Sequence, residues 1–151
     1  MRQYLRFVTV AAVLMALVVC APVQAQTPEV DALRARAARG DAEAQLDLGT
    51  AYFNGDLVRQ DYAEAARWYR LAAEQGYADA QTDLAFVLSE GLGVSQDLTE
   101  AAHFYRLAAE QGDFYAQYNL SIMYETGRGV QRDMGSAVLK ITLPHHLGCS
   151  S

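Results

Sequence analysis

Leu71-Ala72-Ala73-Glu74-Gln75-Gly76 returns letter for letter as Leu107-Ala108-Ala109-Glu110-Gln111-Gly112, an interval of 36 residues. The same interval relates Gly40, Gly76 and Gly112, then Ala44, Ala80 and Ala116, then Leu48, Leu84 and Leu120. It also relates Gly55, Gly91 and Gly127, then Val58, Val94 and Val130, and finally Asp61, Asp97 and Asp133. A fixed period of this size marks an array of supersecondary units. One such unit cannot bury its apolar face alone, and stacked neighbours share a continuous core.

Each unit reads as two helices. In the first, Ala44, Leu48, Gly49 and Tyr52 fall at helical spacing on one face. The small residues admit a close neighbour, and the leucine and tyrosine fill the space beside it. Gly55 ends this helix. The connecting loop in the second unit is Gly91-Leu92-Gly93-Val94-Ser95-Gln96, and its valine is placed to plug the gap between helices. The second helix begins at an aspartate: Asp61-x-x-Glu64 and Asp97-x-x-Glu100 have the form of capping boxes. Ala65, Tyr69 and Ala72 then form an inward stripe, repeated by Ala101, Tyr105 and Ala108, with Trp68 and Phe104 adding bulk. Gly76 and Gly112 close these helices and turn the chain onward.

The pattern Ala-x-x-x-Leu-Gly-x-x-Tyr, Gly-x-Gly-Val-x-x-Asp, Ala-x-x-(Trp/Phe)-Tyr-x-x-Ala-Ala-x-x-Gly resembles the Sel-one-like repeat family, relatives of tetratricopeptide repeats. The resemblance covers residues 41 to about 139. It implies an all-α fold, a right-handed superhelix of antiparallel helix pairs, and a scaffold that holds or bridges other proteins. Many bacterial members are exported. The sequence departs from the pattern in places. Leu57 stands where the other loops carry Gly93 and Gly129, which predicts a differently shaped first loop. Leu88 replaces the tyrosine seen at 52 and 124. After Ala137 the third unit loses the pattern: Lys140 and Ile141 replace the aromatic pair, and Pro144 stops a helix.

The first 25 residues read as a leader. Arg2 and Arg6 precede an uncharged run from Phe7 to Cys20, shorter than the ~20 residues a membrane span needs. Val23-Gln24-Ala25 provides a cleavage site, so the expected product begins at Gln26 and lies in the periplasm or outside the cell. Val19 before Cys20 argues against a lipidation signal. The expected organisation is a signal peptide over 1–25, an N-terminal capping helix over 26–40, and repeats over 41–76, 77–112 and 113–143. The third repeat has a degenerate second helix, and 144–151 form a tail.

Removing the two leader arginines takes the formal charge from −6 to −8 (−6 − 2 = −8). An acidic chain without a Lys/Arg-rich run is a poor match for nucleic acid or an anionic membrane surface. One cysteine would remain, Cys149, so no internal disulfide is expected and stability must come from packing. No His-Glu-x-x-His, Gly-x-Ser-x-Gly, Cys-x-x-Cys or Ser-x-x-Lys is present. Gly91-x-Gly93 and Gly127-x-Gly129 precede helices, but Asp97 and Asp133 at the helix starts repel phosphate and no P-loop lysine follows. His145, His146 and Cys149 have no fourth ligand nearby, and a tail is the simpler reading. His103 reads as a surface or groove histidine. Asp47 and Asp83, with Asn119 as their third member, read as hydrogen-bonding positions between units. No catalytic residue, cofactor or metal is expected.

In such a solenoid the first helices line the concave surface. Residues that face it and differ between units are the expected readers of a partner: Glu43, Leu46, Thr50 and Phe53; Asp79, Thr82, Phe86 and Ser89; Tyr115, Tyr118, Ile122 and Glu125. The aromatics suit buried anchors and the acids suit a basic segment, such as one of an envelope protein. Packing between adjacent first helices is the competing role for each aromatic. Two other functions stay open. One is a cell-wall hydrolase or ligand-binding protein of the cysteine-rich repeat type, although this chain lacks those cysteines. The other is a truncated solenoid that self-associates weakly through an open C-terminal end.

Overall fold

The computed structural model describes residues 28–131. Among these residues there are six helices and no strand: α1 (Pro28–Ala38), α2 (Ala42–Asn54), α3 (Tyr62–Glu74), α4 (Ala78–Glu90), α5 (Leu98–Glu110) and α6 (Phe114–Thr126). Each packs on the next in chain order, most closely α2 on α3 and α4 on α5, the two helices of one unit. The expected leader, the second helix of the third unit and the tail lie outside the described residues.

The core follows the small-residue stripes. Ala44, Leu48, Ala80, Leu84, Ala85 and Ala116 are buried on the first helices. Ala65, Tyr69 and Ala72, with Ala101, Tyr105 and Ala108, are buried on the second helices, as their spacing predicts. Close approach is literal at Gly49, where a Cβ would stand 2.7 Å from two carbons of the Tyr69 ring. Val94 and Val130 pack half-buried against the core, in the plugging role expected of the loop valines.

Glutamines stitch the seams between units, Gln45 and Gln81 buried and Gln117 half-buried. Gln45 donates to Ala37 O at 3.1 Å, Gln81 to Ala73 O at 3.2 Å and Gln117 to Ala109 O at 3.2 Å. Gln75 and Gln111 donate in turn to the side-chain oxygens of Gln45 (2.7 Å) and Gln81 (2.8 Å). The role foreseen for Asp47, Asp83 and Asn119 is therefore filled by these glutamines. Asn119 instead donates to Tyr115 O within its own helix.

Half of each capping box is present. Asp61 Oδ1 accepts from the N–H groups of Ala63 and Glu64, and Asp97 Oδ1 from those of Thr99 and Glu100. The returning bond from glutamate is missing, because the loop folds back and satisfies the cap from elsewhere. The Asp61 N–H donates to Tyr52 O (2.9 Å) and the Asp97 N–H to Leu88 O (3.1 Å). The glutamates pair with arginines, Glu64 with Arg67 and Glu100 with Arg70.

The first loop keeps the shape of the others, contrary to the expectation from Leu57. Leu57 adopts φ 65, against 67 at Gly93 and 69 at Gly129. Only at the glycines is the space taken. A Cβ on Gly93 would lie 2.4 Å from Ala63 N, and one on Gly129 2.2 Å from Leu98 O, each in the first turn of an earlier second helix. Leu57 is 53% exposed. It therefore carries a left-handed backbone, at a cost of roughly 1–2 kcal/mol, while its side chain reaches solvent.

The tyrosine-to-leucine exchange also has a structural counterpart. Arg34 donates to the Tyr52 hydroxyl (3.4 Å) and Arg106 to that of Tyr124 (3.1 Å). Leu88 offers no hydroxyl to Arg70, which instead grips the Glu100 carboxylate with both terminal nitrogens.

Candidate functional site

The twelve candidate residues all lie on α2, α4 and α6, and they do not behave alike. Thr50, Phe53 and Phe86 are brought together with Asn54, Tyr69 and Asp83 around a cleft of about 340 Å³ between α2 and α4. Phe53 is half-buried and sits edge-on to Tyr62 and Phe86, with ring centres 5.2 and 6.3 Å away. It packs between first helices, the competing role for an aromatic here. Phe86 is 42% exposed, Tyr118 57% and Tyr115 71%, so these three rings are offered to solvent. Leu46, Ser89 and Ile122 are half-buried, and Ser89 donates to Phe86 O within α4. The Thr82 hydroxyl oxygen is buried without a partner and contributes no accessible group.

Glu43, Asp79 and Glu125 are exposed. Glu43 is not free, since Arg36 approaches it at 3.6 Å. Phe114 was not foreseen. It is 72% exposed and edge-on to Tyr115, with ring centres 6.1 Å apart. Its signal was present in the sequence: an aromatic stands where the other units carry Ala42 and Ala78.

Asp83 is the second residue the candidate set omitted. It is half-buried on α4, and its carboxyl is pushed up to about 6. Burial is the main cause, with Asp79 and Asp113 adding to it. Tyr69 and Tyr105 are each pushed up to about 12, chiefly by burial. The Tyr69 hydroxyl lies 3.3 Å from that of Thr50. These phenols stay protonated at any physiological pH and act as polar ends of core side chains.

A second cleft, of about 520 Å³, lies between α1 and α2. Glu29, Leu33, Arg36, Asp47, Thr50 and Leu57 are among its lining residues. Its charges are of both signs. Among the described residues, no group of three or more histidines, cysteines, aspartates or glutamates is placed to hold a metal. His145, His146 and Cys149 lie outside those residues. His103 is exposed and edge-on to Phe104. No helix among the described residues is long and apolar enough to cross a membrane.

The family model described as the Sel1 repeat matches residues 42–77, 78–113 and 114–138. Among solved structures, the chain is similar to a protective antigen present in uropathogenic Escherichia coli strains, which displays an SLR fold. The two are 42% identical with a TM-score of 0.70 over 72% of this chain. It is also similar to a Sel1 repeat protein from Oxalobacter formigenes, at 38% identity and a TM-score of 0.66 over 69% of this chain. The chain spans 23% of the first structure's length and 43% of the second's. No curated protein matches it.

Proposed function

Because the chain belongs to the Sel1 repeat family, we propose that it is an exported, non-enzymatic scaffold that holds another protein or peptide on its concave face of first helices. The carrying observation is the exposure of Phe86, Tyr115 and Tyr118 on that face. Large exposed rings on a protein surface are the residue type from which binding hot spots are built. The seams behind them are filled by residues that recur in every unit, whereas the residues of the face differ between units. An acidic face selects basic partners and speeds their encounter.

The test is the double substitution Phe86→Ala with Tyr118→Ala. Both rings lie at the surface, Phe86 42% and Tyr118 57% exposed, so helicity by circular dichroism should stay unchanged. Capture of the native partner, crosslinked in intact source cells and identified by mass spectrometry, should fall at least tenfold, as for two hot-spot residues of roughly 1 kcal/mol or more each. Undiminished capture rejects the face. Export is tested separately. The protein recovered from its source should begin at Gln26, and a mature chain that retains Met1 refutes it.

A further inference from the structure

Among the described residues, the half-buried carboxyl of this face, Asp83, has no hydrogen-bond or ion-pair partner. Asp83 lines the α2–α4 cleft beside Tyr69, Phe53 and Phe86. The charged groups acting on it are Asp79 on α4 and Asp113 at the start of α6, both acidic. From α3 and α5 the titratable neighbours are the neutral phenols of Tyr69 and Tyr105. From α2 come Thr50 and Asn54, which carry no charge. The equivalent positions of the other units differ. Asp47 acts on the guanidinium of Arg36, and position 119 is asparagine. Of positions 47, 83 and 119, only 83 thus presents a carboxyl surrounded by acids and aromatic rings.

A half-desolvated carboxylate without a counter-ion is an unfavourable arrangement that an incoming cation relieves. The walls state what should carry that cation. Phe86 offers ring surface to a methylene stem, with the half-buried Phe53 lining the cleft behind it, and aromatic faces attract ammonium and guanidinium groups. The complement is a charged head on an apolar stem, the form of a lysine or arginine side chain. Resting on the scaffold reading above, we propose that Asp83 is the specificity-determining residue of this face. It receives a lysine or arginine side chain from an extended segment of a partner protein laid beside Phe53 and Phe86.

The experiment uses the whole purified chain on an array of short peptides of random sequence, with Lys, Arg, Gln or Glu fixed at one central position. Lys and Arg peptides should be retained about tenfold more than Gln peptides, the preference expected of one charge-assisted contact. Asp83→Asn should abolish this preference while leaving residual binding through the rings. Asparagine is the residue of the equivalent position 119, so the substitution suits the fold. Asp47→Asn should leave the preference intact. On the unaltered chain the preference should fade between about pH 7.5 and about pH 5, as the carboxyl takes up a proton. This arm carries the test if Asp83→Asn does not fold. Peptide binding without a basic preference, or with one that survives Asp83→Asn or is flat with pH, overturns the inference and leaves the scaffold reading standing. Failure of the folded chain to retain any peptide class overturns both.

Discussion

The seams between units and the face of the first helices follow opposite rules. At the seams the same chemistry recurs at every interval: Gln45, Gln81 and Gln117 each reach back to a carbonyl of the preceding second helix. On the face, Thr50, Phe86 and Ile122 share one repeat position yet are a hydroxyl, an aromatic ring and an aliphatic chain, and Phe53, Ser89 and Glu125 differ more widely still. A buried polar group must find its partner in every copy, whereas a solvated position is under no such demand. Recurrence therefore marks packing, and its absence marks surface that is free to recognise something.

On that division, the largest effects of substitution belong to packed positions. Gly93→Ala should cost about 2–4 kcal/mol, because the new methyl meets the backbone of Tyr62 and Ala63 and φ is positive. Leu57→Gly, the same exchange in reverse, should instead gain up to about 1 kcal/mol by relieving a left-handed leucine. Urea midpoints of the two variants should therefore move in opposite directions. A loss at Leu57→Gly breaks the claim that only the inner loops are crowded.

Gln81→Ala comes next, with an expected loss of about 1–2 kcal/mol, since it removes the buried bond from Gln81 to Ala73 O and the side-chain acceptor of Gln111. A thermal melt unchanged within error would show that the seams are held by apolar contact alone.

The partly buried Asp83 should reveal the opposite cost, that of a group kept on the face. A carboxyl raised in the folded state favours folding while it is protonated, below its unfolded value near 4, and that contribution is lost as pH rises through about 6. Asp83→Asn should accordingly stabilise the chain by about 1–2 kcal/mol above pH 7 and by nothing near pH 4. The figure is below the full shift because the group keeps some water. Chemical denaturation at the two pH values checks it, and a destabilised variant at neutral pH would assign Asp83 a structural partner.

The smallest effect is expected for Glu100→Gln. Its pair with Arg70 is about one-third exposed on both sides and should contribute less than about 1 kcal/mol. Adding Leu88→Tyr sharpens the comparison. If the tyrosine draws Arg70 away as Tyr52 and Tyr124 draw Arg34 and Arg106, Glu100→Gln should lose even that effect in a double-mutant cycle.

Much of this architecture was legible in the residues. The constant interval, the alanine stripes and the cap aspartates identified helix pairs, their order and their inward faces, because small residues at helical spacing have few other uses. The glutamine ladder was equally present at the same interval, in Gln45, Gln81 and Gln117. It escaped notice because glutamine is ordinarily a surface residue, and burial has to be seen before its hydrogen bonds acquire meaning. The half-formed capping boxes were misread for a related reason: local sequence shows the glutamate but not the carbonyl of Tyr52 or Leu88 that occupies the cap first.

By itself the sequence determined the repeat interval, the inward stripes of the paired helices and the absence of a Lys/Arg-rich run. All of these depend on residues close along the chain or related by a fixed interval. Only the tertiary structure decided that Phe53 is packed while Phe86 is offered, that Leu57 tolerates a glycine's backbone, and that Asp83 is half-buried beside acids and rings while Asp47 stays exposed. Each of those outcomes depends on which neighbour from another unit arrives at the same point in space. A one-dimensional period, identical for all units, carries no information about that difference.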